Sequence, residues 1–362
     1  MTFEEARAEF PVLERFAYLN AGTLGPLSRS TLAALEDRLR FDQSQGRGGK
    51  AWFESVLALR AAVREQLATL VVTTPDRIAL TSSTTDACNI VASGLELGPG
   101  DEIVTTDSEH PGLLLPLNVS GAEVRVAEVA GRPTADALDR IMSSVTPRTK
   151  LIALSHVLWT TGQVMPVDEL KRESGLPLLV DGAQSVGAIP VDVGDLDYYT
   201  VSAQKWLCAP DPSGGLYVRD PESVRVATPS YFAQESYEPS GAFAPREGAA
   251  RFDAGWPGVP TLAGLVAALG THPAWRYERA AEMAARCREL LVPLVEVVTP
   301  PGHSTLVSFR PRSDPAELVA SLRERGVVVR ELPGRNLVRA SCGWWTNEDD
   351  LQRLAEGVAA SS

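Results

Sequence analysis

Short continuous apolar runs alternate along this chain with longer segments whose apolar residues recur at helical spacing. Runs at 78–80, 102–106, 122–128, 150–157, 176–180 and 198–202 have the length of strands, and 214–219 reads as a returning edge strand. Helical periodicity covers 28–41, 52–70, the stretch from 84 to about 95, and 134–144, after a short amphipathic opening helix. This alternation predicts an α/β fold with a mostly parallel sheet and right-handed crossovers. The run 176–180 lacks polar alternation, so it is expected as a parallel strand covered on both faces.

The pattern changes towards the C-terminus. A helix over 275–291, strands at 304–309, 327–330 and 336–341, a helix over 315–325 and a last helix capped by Thr346 with Asp349 predict a smaller α+β unit. Before it, residues 221–262 are rich in proline, glycine and aromatics and show no period, which points to a binding or interface loop. A glycine-rich joint at 46–49 links two helices.

Composition narrows the classes. The 362 residues carry 34 lysines and arginines against 46 aspartates and glutamates, a net charge of -12, which argues against nucleic acid and anionic membranes as partners. No apolar run approaches the ~18 residues of a membrane span, and the acidic start, without an apolar core, is not a signal peptide. A cytoplasmic protein is expected. Cys88, Cys208, Cys287 and Cys342, with four scattered histidines, show no disulfide or metal-ligand spacing; Cys88 and Cys287 are expected to pack as small apolar residues.

The candidate chemistry sits at strand exits. Asp181 ends the run 176–180, and Lys205 follows the run 198–202 by a three-residue turn. In open α/β sheets ligands bind at that edge. A lysine able to form a Schiff base, with an acid able to protonate a pyridine nitrogen, is what pyridoxal phosphate needs as an electron sink. Taken singly, Asp181-Gly182 is also a good turn and Lys205 could be a solvated charge. The hydroxyl-rich turn Thr81-Ser82-Ser83-Thr84-Thr85-Asp86 before a helix is an anion site, an N-cap box of Ser83 with Asp86, or both.

These segments resemble the class V aminotransferase family of fold-type I pyridoxal phosphate enzymes. Asp181-Gly182-Ala183-Gln184 matches its D-x-A-Q segment, Ser202-Ala203-Gln204-Lys205 its S-x-H-K segment, and the hydroxyl-rich turn its T-S-G-A-T-E phosphate cup. The resemblance spans nearly the whole chain. It implies a mixed, mostly parallel seven-stranded sheet sandwiched by helices, with a large cofactor domain over 16–255 and a small domain from 1–15 and 256–362. It implies that Ser83, Thr84, Thr85, Ser202 and Gln204 bind the cofactor, Thr84, Thr85 and Gln204 at its phosphate, and that His110 stacks on the ring. Asp181 would protonate the ring nitrogen, Lys205 would be the covalent lysine, and Gln184 would partner the phenolic oxygen. Asn20 and Gly22 of the segment FAYLNAGTLG, together with Trp159, Trp256 and the carboxylate-gripping Arg339, would line the substrate pocket.

Three positions depart from the family pattern. Trp159 stands where cysteine desulfurases have asparagine, Trp256 where a threonine reaches the neighbouring subunit's phosphate, and Gln204 where the family has a histidine. The loop before Arg339, residues 331–336, holds no cysteine, which sets aside a persulfide-forming desulfurase. The segments 155–163 and 205–210 look most like cysteine or cystine C-S lyases. The expectation is β-elimination from cystine or an S-substituted cysteine in a homodimer with shared sites. The alternatives are an aminotransferase or an epimerase of an amino acid or its conjugate, and, less favoured, a non-catalytic cofactor-binding protein.

Overall fold

The computed structural model describes residues 1–256 and 258–361. A seven-stranded sheet runs in the order Ile78–Thr81, Gly214–Val218, Tyr198–Ser202, Leu178–Asp181, Thr149–Ser155, Glu102–Thr106, Glu123–Ala127. The five strands from Tyr198–Ser202 to Glu123–Ala127 are parallel, and Gly214–Val218 is antiparallel to both of its neighbours. The strand expected at an edge is therefore interior. Ile78–Thr81 pairs on its outer side, and Gly215 leaves room for the helix Gly49–Leu70 over the sheet, since a Cβ there would meet Leu67 at 2.9 Å.

Leu178–Asp181 lies in the middle of the sheet with every residue buried, as its unbroken apolar run requires. Apolar clusters cover both sheet faces, one holding Val180, Val201 and Tyr199, the other Leu179, Ile103 and Cys88. All four cysteines are free and buried, Cys88 and Cys287 within apolar clusters.

The C-terminal unit is a four-stranded antiparallel sheet, Glu296–Val297, Leu306–Arg310, Leu337–Ser341, Arg330–Leu332, packed by helices Arg276–Leu291, Pro315–Glu324 and Glu348–Ala360. The last helix is capped by Asn347 with Asp350, one residue beyond the expected pair, while Thr346 is buried in front of it. Near the N-terminus, Ala17–Tyr18 pairs in parallel with Val327–Val328, and Asn20 bridges Ser341. The opening segment thereby reaches the C-terminal sheet before the chain enters the large one.

The aperiodic stretch contains an exposed hairpin, Gln234–Tyr237 with Phe243–Pro245, and ends in a helix, Val259–Gly270, packed against Arg29–Gln45 and Gly49–Leu70. That helix left no periodic signal because it carries no charged residue and so has no polar face to mark a repeat.

Candidate active site

Asp181 and Ser155 end neighbouring parallel strands in register, and Ser202 ends the next, so their side chains meet at one sheet edge. One cavity there is walled by Thr84, Thr85, His110, Trp159, Asp181 and Lys205. Ser83, Gln184, Ser202 and Gln204 line it too. The acid and the lysine read from sequence thus face a common space.

Asp181 is buried, and its Oδ1 accepts the Ala183 N–H at 2.8 Å. Lys205 is half-buried and lines the cavity. Burial brings its pKa down to about 8; Asp181 opposes the shift, and Arg339 and Arg330 reinforce it. A fraction of the amine is then uncharged at neutral pH, as a nucleophile or base requires.

The hydroxyl turn forms the expected N-cap. Ser83 caps the helix Thr84–Gly94 by accepting the Asp86 N–H at 3.1 Å, and Asp86 accepts the Ser82 N–H at 2.9 Å. Thr84 Oγ1 is buried with no partner among the described residues, at a helix N-terminus where the dipole favours an anion. An unsatisfied hydroxyl there fits a phosphate oxygen.

His110 caps the helix Pro111–Asn118, its Nδ1 accepting the Gly112 N–H at 3.0 Å. Burial, then the charge of Lys205, lowers its pKa, so the ring is neutral. It meets Trp159 edge-on, with centroids 5.3 Å apart and planes at 88°.

Arg339 is buried on Leu337–Ser341, and its Nη1 donates to the Trp159 carbonyl oxygen at 2.8 Å. Its Nε and Nη2 have no partner among the described residues. Burial, with Arg330 adding, lowers its pKa to about 9, and it stays a cation at neutral pH. A buried guanidinium with two open donors is a receptor for a carboxylate. Gly22 makes room for it, since a Cβ there would lie 2.7 Å from Nη2. Asn20 faces Thr23, accepting its hydroxyl at 2.8 Å.

Gln184 is more committed than its sequence position suggests. Its Oε1 accepts the Trp206 indole N–H at 3.0 Å, and its Nε2 donates to the Gly22 carbonyl oxygen at 2.8 Å. One amide proton remains for the cavity. Gln204 Oε1 is buried without a partner among the described residues.

Asn20, Gly22 and Arg339 do not line this cavity themselves; Arg339 meets its wall at Trp159. Trp256 lies elsewhere in the subunit. It is 55% exposed, stacks on Trp52 at 6.2 Å and borders a separate cavity of about 320 Å³ that Ser82 and Asp86 also line. That cavity is larger than the one at Lys205, but neither Asp181 nor Lys205 lines it.

Sequence reasoning passed over two buried groups beneath the site. Glu109 accepts the Thr106 hydroxyl at 2.7 Å, the Ser155 N–H at 2.9 Å and the Ser155 hydroxyl at 2.5 Å. Burial raises its pKa to about 7 against the pull of those bonds. His156 shares a 2.6 Å hydrogen bond with the Tyr199 hydroxyl, which shares another of 2.5 Å with Ser185.

A family model described as Aminotransferase class-V matches residues 20–354. The chain belongs to this family. Within the class-V aminotransferases it is 31% identical to isopenicillin N epimerase of Streptomyces clavuligerus, over 99% of this chain and 98% of that one. It is 28% identical to a cysteine desulfurase of Klebsiella pneumoniae, over 99% and 98% of the two chains. The solved complex of the cystine C-S lyase C-DES with its reaction product cysteine persulfide matches with a TM-score of 0.91 at 29% identity, over 98% of this chain and 100% of that one. The seven-stranded sheet is the class-V, fold-type I arrangement, and pyridoxal phosphate is the cofactor. The unpartnered Thr84 hydroxyl at a helix N-terminus fits its phosphate.

Proposed function

We propose that this chain is a pyridoxal phosphate-dependent carbon–sulfur lyase that eliminates a sulfur leaving group from Cβ of cystine or an S-substituted cysteine. The observation that carries the reading is a cavity lined by a lysine base, Lys205, and by Trp159, whose carbonyl oxygen holds the buried carboxylate receptor Arg339, but by no thiol. Cys342, just past Arg339, is fully buried in the C-terminal core, and no cysteine among the described residues lines the cavity. Sulfur can leave with the substrate's own fragment; this chain offers it no cysteine to land on.

Bound pyridoxal phosphate supplies the electron sink for a carbanion at Cα. Thr84, with Ser83 and Thr85, holds the phosphate at the helix N-terminus. Asp181 would keep a proton on the pyridine nitrogen, and His110 would help hold the ring. Arg339 would fix the substrate carboxylate through Nε and Nη2. The Lys205 amine would remove the α-proton as general base. Elimination to aminoacrylate, and its hydrolysis to pyruvate and ammonia, completes the reaction.

The test is pyruvate release by the loaded protein on cystine and S-substituted cysteines, with Lys205→Ala as control. Mass spectrometry after turnover should find no persulfide on the protein. Pyruvate absent for every such substrate would defeat the lyase reading. A second reading, epimerisation, is favoured by the 31% identity to isopenicillin N epimerase over nearly the whole chain. Exchange of the α-proton for deuterium without net product would select it.

The reading includes a homodimer in the cytoplasm. The exposed apolar side chains Leu32, Leu39, Tyr231 and Trp256 support a covered face. No helix among the described residues is long and apolar enough to cross a membrane. A monomer of full activity by light scattering would refute the shared-site dimer.

A further inference from the structure

Glu109 touches the site from below. It follows the strand Glu102–Thr106 and directly precedes His110, yet its own carboxylate turns inwards and is only 3% exposed. One oxygen accepts the Thr106 hydroxyl at 2.7 Å; the other accepts both the backbone N–H and the hydroxyl of Ser155, at 2.9 and 2.5 Å. Thr106 and Ser155 are the last residues of two adjacent parallel strands, and Ser155 stands opposite Asp181 in the next pairing. One carboxyl group therefore ties the strand that leads to His110 to the strand whose end lies beside Asp181.

We propose that Glu109 is a positioning residue that fixes the spacing between the His110 ring and the Asp181 carboxylate, the gap in which the cofactor ring lies. The two oxygens of Glu109 accept two hydroxyls and a backbone N–H between them, and a carboxamide keeps only one accepting oxygen for these three contacts. Loss of one oxygen as acceptor turns an NH2 towards Thr106 or Ser155. Ser155 also lines the cavity, so the disturbance passes to Asp181 through one register pair, and to His110 through one peptide bond.

The inference rests on the cofactor assignment alone and is indifferent to lyase or epimerase chemistry. Its test compares wild type with Glu109→Gln, and with Thr106→Val, which removes one donor outside the cavity. Each protein is stripped of cofactor and reloaded by titration with pyridoxal phosphate, while thermal unfolding of the stripped form reports fold integrity. The circular dichroism of the bound cofactor, which reads ring attitude, is recorded across pH.

The expected result is cofactor affinity about tenfold weaker in Glu109→Gln, the scale of one hydrogen bond to a charged group. Its cofactor dichroism should change in size and its absorbance titration should move. Thr106→Val should shift both in the same direction by less. Wild-type affinity and dichroism in Glu109→Gln, with or without a change in unfolding temperature, would overturn the inference. Failure of the wild type itself to take up pyridoxal phosphate would overturn the cofactor assignment and this inference with it, a distinguishable outcome.

Discussion

Arg339 donates through Nη1 to the backbone carbonyl oxygen of Trp159 at 2.8 Å, which ties a fully buried guanidinium to the wall of the cavity. The bond uses the main chain of Trp159, so any residue at that position could provide it. It pins the fork of Arg339 while leaving Nε and Nη2 without a partner among the described residues.

Arg339→Lys should not rescue Arg339→Ala, because an ammonium cannot offer the planar pair of donors. Both variants should raise KM for the amino-acid substrate by about a hundredfold, the scale of a lost bidentate pair. Cofactor uptake should be unchanged. Steady-state kinetics with a parallel cofactor titration check this, and a KM within threefold of wild type in the lysine variant would contradict it.

Gly22→Ala places a methyl 2.7 Å from Nη2 of Arg339 and 3.0 Å from the Ser341 hydroxyl. Both are buried, so the guanidinium must swing away or the N-terminal segment must lift. We expect KM to rise at least tenfold and stability to fall by about 1–3 kcal/mol, the usual cost of overpacking. Urea denaturation alongside kinetics separates the two effects.

Thr84→Val should move two measurements in opposite directions. The Oγ1 hydroxyl is buried and unpartnered in the cofactor-free protein, so replacing it with a methyl should leave stability unchanged or slightly higher. Cofactor affinity should nevertheless weaken by about tenfold, since the phosphate loses a donor. A stripped protein less stable than wild type would mean that the hydroxyl serves the fold instead.

Lys205 gives a pH signature in the stripped protein. Its folded pKa of about 8 lies below the ordinary 10.5, so between these values the unfolded chain holds more protons. Stability should therefore rise with pH across that window, and below it the buried charge is a constant penalty. Lys205→Met should abolish this rise and be more stable than wild type at pH 7. Denaturation midpoints from pH 7 to 10.5 on both proteins provide the check.

Much of this was legible in the residues. The run ending in Asp181 and the turn ending in Lys205 were visible because a central parallel strand is apolar throughout and breaks abruptly at its functional end. Gly214–Val218 was placed at the wrong depth because strand order is a property of partners distant in sequence, and Ile78–Thr81 lies far upstream. The helix Val259–Gly270 hid because a fully apolar segment has no face to announce its period. Glu109 hid for a different reason. A glutamate beside a histidine in a turn looks solvated, and only the approach of Ser155, 46 positions away, reveals it as buried.

The segment around Gly22 has a further bearing on how the protein comes to be active. Gly22 receives the Gln184 amide, gives its N–H to Ser341 at 3.1 Å across 319 positions, and lies two residues beyond a bridge to that same strand. The surroundings of Arg339 are thus assembled from segments 319 positions apart. Contacts of such separation carry a large loop-closure cost and form late. On the ribosome, a nascent chain could complete the sheet that bears Asp181 and Lys205 while Arg339 is still unmade. Competence would then arrive as a final event, when the last strand of the C-terminal unit closes over the first two dozen residues.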